Sequence, residues 1–294
     1  MSLSYGYVTH DSINLHYITN SNYPFGSNVP HLILLHSMNG SSLDFICIIK
    51  LLSPYFKLLA VDLRGRGQSS TPEGPENYTL DKRLDDVRHI IKSFNIYNPI
   101  IVGLSNGGTL GLYFAIKYPQ EIYKLIVLAP PIISYSVPES LRVYIGDSKW
   151  KSDLEDILLS DKCFSQCTNS QSYNTLNSPL CSSYNSIKKI IAYNAANSSN
   201  RGYADAIYGT NGYDLSNDVR SINIPTMIIH GCDDEDQPVI NSIFLRSQIP
   251  NSYFVELRGV GHLSTLTSPK RVSNEIYKFI MNISDCDPCL LETI

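Results

Sequence analysis

The chain has 294 residues, of which 43% are hydrophobic, and its formal net charge at pH 7 is −4. This length and composition predict one large globular domain, or one domain that carries an insertion. The slight negative charge and the lack of a basic cluster exclude nucleic acid as an expected partner, and no apolar run approaches the ~20 residues that cross a bilayer.

The amino-terminal part predicts a hairpin, followed by strands that alternate with helices. Residues 5–19 (YGYVTHDSINLHYIT) alternate apolar and polar side chains around a turn at 10–12, which is typical of an antiparallel hairpin. Neither the basic segment nor the apolar core of a signal peptide precedes it, so we expect a cytoplasmic protein. Apolar runs and helical spacing then predict strands at 31–36 and 57–62, and helices at 41–53 and 79–94.

The next stretch, PIIVGLSNGGTLG, places Ser105 between a buried strand and a helix. Gly103 and Gly107 flank the serine where a Cβ would crowd a sharp turn, and such a turn lifts the hydroxyl above the first helical amides. A plain joining turn or a phosphate-binding loop is the alternative. A Walker loop needs a lysine after its last glycine and a dinucleotide site needs G-x-G-x-x-G, and neither pattern is present. The G-x-S-x-G spacing at this place therefore favours a nucleophile elbow.

Beyond a strand at 124–129 the alternation stops, and it resumes only near residue 217. The intervening segment is rich in serine, asparagine and tyrosine, shows some helical spacing, and contains the single tryptophan, Trp150. After it come further predicted elements: strands at 226–231 and 252–257, and helices at 238–248 and 268–281. The pattern predicts an α/β fold, with a mostly parallel central sheet and helices on both faces. We expect a core of residues 1–129 and 217–294, and a mainly helical cap of residues 130–216 over the carboxyl edge of the sheet.

A serine nucleophile needs a base that is itself oriented by a third group. In an open parallel sheet such groups lie just past the carboxyl ends of the strands. His262 follows the last predicted strand in the loop RGVGHLS, where Gly259 and Gly261 allow it to project. A surface-loop histidine is the alternative. His230 ends a strand and is expected to pack in the interior.

The third group is expected among the four acidic residues at 233–236, which follow the strand at 226–231. Burying more than one carboxylate there would be costly, so we expect a single inward-facing acid. The turn after Gly231 favours Asp234. Glu235 and Asp236 are equally well explained as an acidic helix N-terminus.

The seven cysteines are odd in number, and their spacing does not match that of a disulfide framework. Both features are typical of reduced thiols. Cys286 and Cys289 form a C-x-x-C near the chain end, and Cys163 and Cys167 form a looser pair. Neither pair has the histidine or second C-x-x-C that a zinc site usually has. We therefore predict no metal and no cofactor, and the sequence leaves the role of Cys286 and Cys289 open.

Several segments together resemble an α/β-hydrolase over nearly all of the chain outside residues 130–216. They are LILLHSMNGSSLDF, LLAVDLRGRGQSS, IVGLSNGG, IPTMIIHGCDDEDQP and GVGH. The resemblance implies that Ser105 attacks an acyl carbon, that His262 takes and returns its proton, and that Asp234 orients the His262 ring. It also implies an oxyanion hole made by the backbone N–H groups of Met38 and Asn106.

We also expect a substrate pocket that includes His36, Ser37 and Trp150. The family usually has glycine where this chain has Ser37, so we expect a modestly strained loop or a slightly different loop path there. The elbow GLSNGG is similar to those of small carboxylesterases, enol-lactonases and perhydrolase-like enzymes. The expected reaction is therefore cleavage of a small-molecule carboxylic ester or lactone by a monomer or homodimer.

Two other functions are compatible with the same residues. C–C bond hydrolases use this triad with a similar cap, and some hormone-type receptors of this fold keep the triad and use the cap as a ligand-gated switch. A serine at the nucleophile position disfavours the haloalkane dehalogenase and epoxide hydrolase branches. A catalytically dead interaction module is disfavoured because all three triad positions are filled.

Overall fold

The computed structural model describes residues 2–20, 28–134 and 184–283. Trp150, together with Cys163, Cys167, Cys286 and Cys289, lies outside the described residues. Among the helices of these three stretches, none has both the length and the apolar character needed to cross a membrane.

Eight strands form one sheet, in the order β1-β2-β4-β3-β5-β6-β7-β8. Pairing of β1 with β2 and of β2 with β4 is antiparallel, and all other neighbouring strands are parallel. The strands are β1 (Leu3–His10), β2 (Ile13–Asn20), β3 (His31–Leu35), β4 (Lys57–Val61), β5 (Ile100–Leu104), β6 (Lys124–Leu128), β7 (Thr226–Gly231) and β8 (Ser252–Leu257).

Eight α-helices connect or flank these strands within the described residues. They are α1 (Ile46–Leu52), α2 (Leu80–Ser93), α3 (Asn106–Lys117), α4 (Tyr184–Ala196), α5 (Asn200–Gly209), α6 (Ile240–Gln248), α7 (Ser264–Thr267) and α8 (Pro269–Met281). The predicted helix at 41–53 is divided, because a 3₁₀ turn at Ser42–Phe45 precedes α1.

The central strands are buried on both faces, so alternate residues along one strand belong to different cores. In β3, Ile33 and Leu35 pack in the core that α2, α3 and α6 cover. Leu32 and Leu34 pack in the core that α1 and α8 cover. Each fully buried Leu or Ile contributes roughly 1.5–3 kcal/mol through removal of apolar surface from water. The predicted fold class, a mostly parallel sheet with helices on both faces, is confirmed.

Helices α4 and α5 lie between β6 and β7 in the chain, within the segment predicted to be a cap. Helix α4 packs its isoleucines against Leu266, with Leu43 and Leu263 beside them. Helix α5 contacts Met38 through Tyr203 and Ala204. Both helices therefore lie on loops that follow the carboxyl ends of β3 and β8. The division into core and cap stays a prediction, because most of the segment lies outside the described residues.

Candidate active site

Ser105 occupies a turn that is sterically forced. Its backbone has φ 53° and ψ −119°, a conformation that residues with a Cβ rarely adopt and that costs on the order of 1–3 kcal/mol. The turn is held by the Ser105 N–H, which donates to the Leu128 carbonyl at 2.7 Å. A Cβ on Gly103 would overlap the Gly107 carbonyl, and one on Gly107 would overlap that of Leu35. Both glycines are therefore required for the serine to stand at the carboxyl end of β5.

His262 and Asp234 are brought together by the loops after β8 and β7. Nδ1 of His262 lies 2.8 Å from Oδ2 of Asp234, whose side chain is only 1% exposed. The other carboxylate oxygen of Asp234 accepts the backbone N–H groups of Asp236 and Gln237, at 2.9 and 2.8 Å. Asp234 is thus fixed from both sides and pairs with His262, whereas the exposed Asp236 lies in the wall of the neighbouring cavity.

Ser105 and His262 line one cavity of about 250 Å³. Its wall also includes Met38 and Asp44 from the loop after β3, and Asn194 from α4. Within the described residues, no hydrogen bond joins the Ser105 hydroxyl to His262. Such catalytic hydrogen bonds are often long without substrate and tighten in the complex. A larger surface groove of about 680 Å³ includes Lys124 and lies at the amino ends of β6 to β8, away from the serine.

The ionisation of His262 reflects two opposing effects. Burial lowers its pKa, but the hydrogen bond and the charge of Asp234 raise it, and the carboxylates of Asp236 and Asp44 raise it further. The net result is a pKa above the ordinary value of 6.5. The site therefore stabilises the imidazolium that would form when the ring accepts a proton.

The loop after β3 presents Met38 to the cavity, next to the start of α3 at Asn106. The first N–H groups of a helix have no partner inside the helix, so that of Asn106 is available to a bound group. Arg66 anchors the loop, because its Nε donates to the Met38 carbonyl at 2.6 Å. Its guanidinium also lies 4.8 Å from the ring centroid of Tyr203 on α5.

Ser37 does not show the backbone strain that we considered. It is not among the residues with positive φ, so the loop follows a path that suits a residue with a Cβ. Its hydroxyl and its N–H both donate to Oδ2 of Asp44, at 2.8 and 3.2 Å. The Asp44 carboxylate accepts both of these hydrogen bonds. It therefore holds the turn at Ser37, the position where the family usually has glycine.

The prediction that His36 lines the substrate pocket is wrong. The residue is completely buried, and burial lowers its pKa to about 4, so the ring is neutral. Its Nδ1 lies 2.7 Å from the Ser37 carbonyl, while Nε2 accepts the Leu63 N–H at 3.0 Å. Both ring nitrogens are thus used to brace the loop. Trp150, the third predicted pocket residue, lies outside the described residues.

His230 packs in the interior, as predicted. Its Nδ1 lies 2.7 Å from the Ser242 hydroxyl, and its Nε2 lies 3.0 Å from the Gln237 carbonyl and 3.5 Å from Asp234. Burial lowers its pKa. A neutral His230 beside Asp234 adds no competing positive charge to the pair of Asp234 and His262.

Two groups of described residues bring three metal-binding donors within 4.8 Å of one another: His10, Asp11 and Asp85, and Asp234, Asp236 and His262. In the second group the imidazole and one carboxylate form a hydrogen-bonded pair, and backbone amides support the acid. Asp234 is therefore already hydrogen-bonded to His262 and to two backbone N–H groups.

Sequence reasoning missed three residues that shape the site: Asp44, Arg66 and Asn194. Arg66 lies in LLAVDLRGRGQSS, one of the segments that carry the family resemblance, but no role was predicted for it. Asp44 lies in a short Ser-Leu-Asp-Phe run with no periodicity that shows which side chain points inward. Asn194 reaches the site only through the tertiary packing of α4.

Comparisons with known proteins agree with this architecture. The model of a family described as alpha/beta hydrolase fold matches residues 30–269. The chain is 25% identical to the AB hydrolase superfamily protein YisY of Bacillus subtilis (strain 168), over 76% of this chain and 81% of the relative. It is 24% identical to 3-oxoadipate enol-lactonase 2 of Acinetobacter baylyi, over 76% of this chain and 77% of that protein. The crystal structure of the enol-lactonase from Burkholderia xenovorans LB400 superposes with a TM-score of 0.79 at 21% identity, covering 94% of this chain and 100% of that one.

Proposed function

Because the chain belongs to the alpha/beta hydrolase fold family, we propose that it is a serine hydrolase that cleaves a small-molecule carboxylic ester or lactone through an acyl-enzyme on Ser105. The observation that carries this proposal is that His262, which pairs with the buried Asp234, lines the same cavity as Ser105. Similarity to an enol-lactonase supports the same reaction class.

The proposed reaction follows from the geometry of the histidine. Since Nδ1 of His262 faces Asp234, Nε2 is left to take the proton of the Ser105 hydroxyl. The serine oxygen then bonds to the acyl carbon, and the carbonyl oxygen becomes an oxyanion that accepts from the N–H groups of Met38 and Asn106. His262 gives the proton to the leaving alcohol oxygen. In the second half, His262 takes a proton from water as the water oxygen bonds to the acyl carbon. The bond between that carbon and Ser105 then breaks, and His262 returns the proton to the serine oxygen as the acid leaves.

Residues 130–216 are proposed to form a cap that shapes the substrate pocket. Ile191 and Asn194 on α4 line the cavity, and Leu263 and Leu266, which pack against α4, add apolar surface to its wall. A small cavity lined by both polar and apolar side chains suits a short acyl or alcohol group.

The proposal is tested by fluorophosphonate labelling followed by hydrolysis of 4-nitrophenyl esters of graded chain length. We expect one covalent adduct, located at Ser105 by peptide mass spectrometry, and turnover that is fastest for short chains. Labelling without turnover of any ester or lactone would favour the C–C hydrolase or the receptor alternative. An unlabelled, folded protein would contradict the proposal.

The pH dependence should report the raised pKa of His262. The base must be neutral to accept the serine proton, so kcat/KM should rise with pH along a limb whose apparent pKa lies above 6.5. Four titratable groups face the ring: Asp234 and Asp236 from the loop after β7, Asp44 from the loop after β3, and His230 from β7. Profiles of kcat/KM between pH 5 and 9 measure the limb.

Asp236→Asn tests whether a neighbouring carboxylate contributes to the raised pKa of His262. Removing a carboxylate that stabilises the imidazolium lowers the pKa of His262, so the ascending limb should move to lower pH. Asp218→Asn, an exposed change outside the cavity wall, is the matched control and should leave the limb in place. A limb that stays fixed or moves to higher pH in Asp236→Asn would refute the assignment.

A further inference from the structure

Asp44 is a buried carboxylate in the cavity wall that the proposed reaction does not use. It lies in the 3₁₀ turn after β3, and only 2% of the residue is exposed. It shares the cavity with Ser105 and His262, and its charge contributes to the raised pKa of His262. Burial of a charged group is costly, so its presence beside the reacting atoms requires an explanation.

The groups that hold Asp44 are all uncharged. Ser37 donates to Oδ2 through its hydroxyl and its N–H, and the Asn194 side-chain amide donates to Oδ1 at 3.1 Å. The described cavity wall includes two acids, Asp44 and Asp236, and no lysine or arginine. Neutral donors satisfy the carboxylate oxygens, and no lysine or arginine in the described cavity wall balances the negative charge.

The position of this charge is fixed by packing. A Cβ on Gly40 would overlap the Asp44 carboxylate, so only glycine allows the close approach of the loop backbone. The Asn194 side chain that donates to Asp44 also accepts the Ser41 hydroxyl at 2.6 Å. The carboxylate is therefore clamped between the loop after β3 and helix α4, and it stays beside the cavity.

The protonation state of Asp44 falls within an accessible pH range. Burial raises its pKa to about 6, and the hydrogen bonds from Ser37 and Asn194 oppose this rise. At pH 8 the group is therefore ionised. In a partly desolvated cavity its charge acts on a bound charge more strongly than it would in water.

We propose that Asp44 selects substrates by charge, so that the site takes esters whose acyl or alcohol group is neutral or cationic and rejects those that carry a carboxylate. This inference rests on the proposed serine hydrolase function and names its substrate class. A cationic group gains from the Asp44 carboxylate, a hydroxyl group can donate to it, and a second carboxylate is repelled by it.

The test uses three 4-nitrophenyl esters with the same three-methylene acyl spacer, measured at pH 8. The 4-(trimethylammonio)butanoate is cationic, the 5,5-dimethylhexanoate is its neutral isostere, and the hydrogen glutarate is anionic. A second set places the same end groups on the alcohol side of a butyrate ester. In at least one set we expect wild-type kcat/KM to be about tenfold lower for the anionic than for the neutral ester.

The matched variant is Asp44→Asn, which removes the charge and keeps the shape. We expect the ratio of kcat/KM for the cationic ester to that for the anionic ester to fall by about tenfold or more. Ser37→Ala perturbs the same hydrogen bonds but keeps the carboxylate, so its ratio should stay near that of wild type. The exposed change Asp218→Asn should leave the ratio unaltered as well.

Several results would overturn the inference. One is an unchanged ratio in folded Asp44→Asn, and another is an equal change in Ser37→Ala, which would indicate a structural effect. If Asp44→Asn does not fold, the wild-type enzyme still provides a test. Equal kcat/KM values for the anionic ester and its neutral counterpart in both sets would contradict the inference. Failure of the proposed function is distinguishable, because then no ester of either set is cleaved, whether or not the fluorophosphonate probe reacts.

Discussion

Ser105→Ala is expected to abolish fluorophosphonate labelling and to reduce kcat on 4-nitrophenyl esters by ~10⁴ to 10⁶-fold. The substitution removes the proposed nucleophile and leaves the two flanking glycines, on which the turn depends, in place. Alanine meets the same backbone restriction as serine at φ 53°, so the melting temperature should change little. Steady-state kinetics, intact-protein mass spectrometry and circular dichroism measure the three effects.

Ser105→Gly is the matched control for the backbone. It should be equally inactive, but more stable than Ser105→Ala by about 1 kcal/mol, because glycine reaches positive φ without the Cβ penalty. Chemical denaturation compares the two variants. Retention of more than a tenth of the wild-type rate by either of them would end the assignment of Ser105 as nucleophile.

Asp234→Asn should reduce kcat by ~10⁴-fold through the tautomer of His262. In the wild type, Oδ1 of Asp234 accepts two backbone N–H groups and Oδ2 faces Nδ1 of His262. The carbonyl oxygen of an asparagine would keep the backbone partners, so its NH₂ group would face Nδ1. The ring would then carry its proton on Nε2, where it cannot accept the proton of Ser105.

Asp233→Asn is the control for this prediction, since the side chain of Asp233 is absent from the cavity wall. We expect its kcat to lie within a few-fold of the wild-type value. Proton NMR of the imidazole region would detect the tautomer change in Asp234→Asn. A severe loss in Asp233→Asn with a mild one in Asp234→Asn would show that the register of the acidic turn had been misassigned.

The parts of the fold that the sequence predicted are those with strong local signals. The β-branched and leucine runs of β3 to β7 have few alternatives to buried strands, because both faces are covered. The serine elbow was recognisable because Gly103 and Gly107 are sterically required there. The pairing of His262 with Asp234 followed from a general rule, since the loops at the carboxyl ends of adjacent parallel strands meet.

The parts that escaped prediction depend on contacts between distant segments. Asp44 and Asn194 are 150 positions apart, and no local pattern shows that their side chains meet. His36 was predicted to line the pocket, but the direction of its ring is decided by hydrogen bonds to the Ser37 carbonyl and the Leu63 N–H. In both cases burial and hydrogen bonding across the fold determined the outcome.

The clamp between the loop after β3 and helix α4 also bears on how the site assembles and opens. The hydrogen bond from Ser41 to Asn194 joins positions that are 153 apart in the chain, so its formation carries the entropy cost of closing a long loop. The sheet has its own buried cores and does not need this contact to hold its strands together. Local unfolding of α4 would therefore break the hydrogen bonds of the Asn194 side chain with Ser41 and Asp44, while the sheet stays intact. Hydrogen exchange should accordingly find the amides of α4 less protected than those of β5.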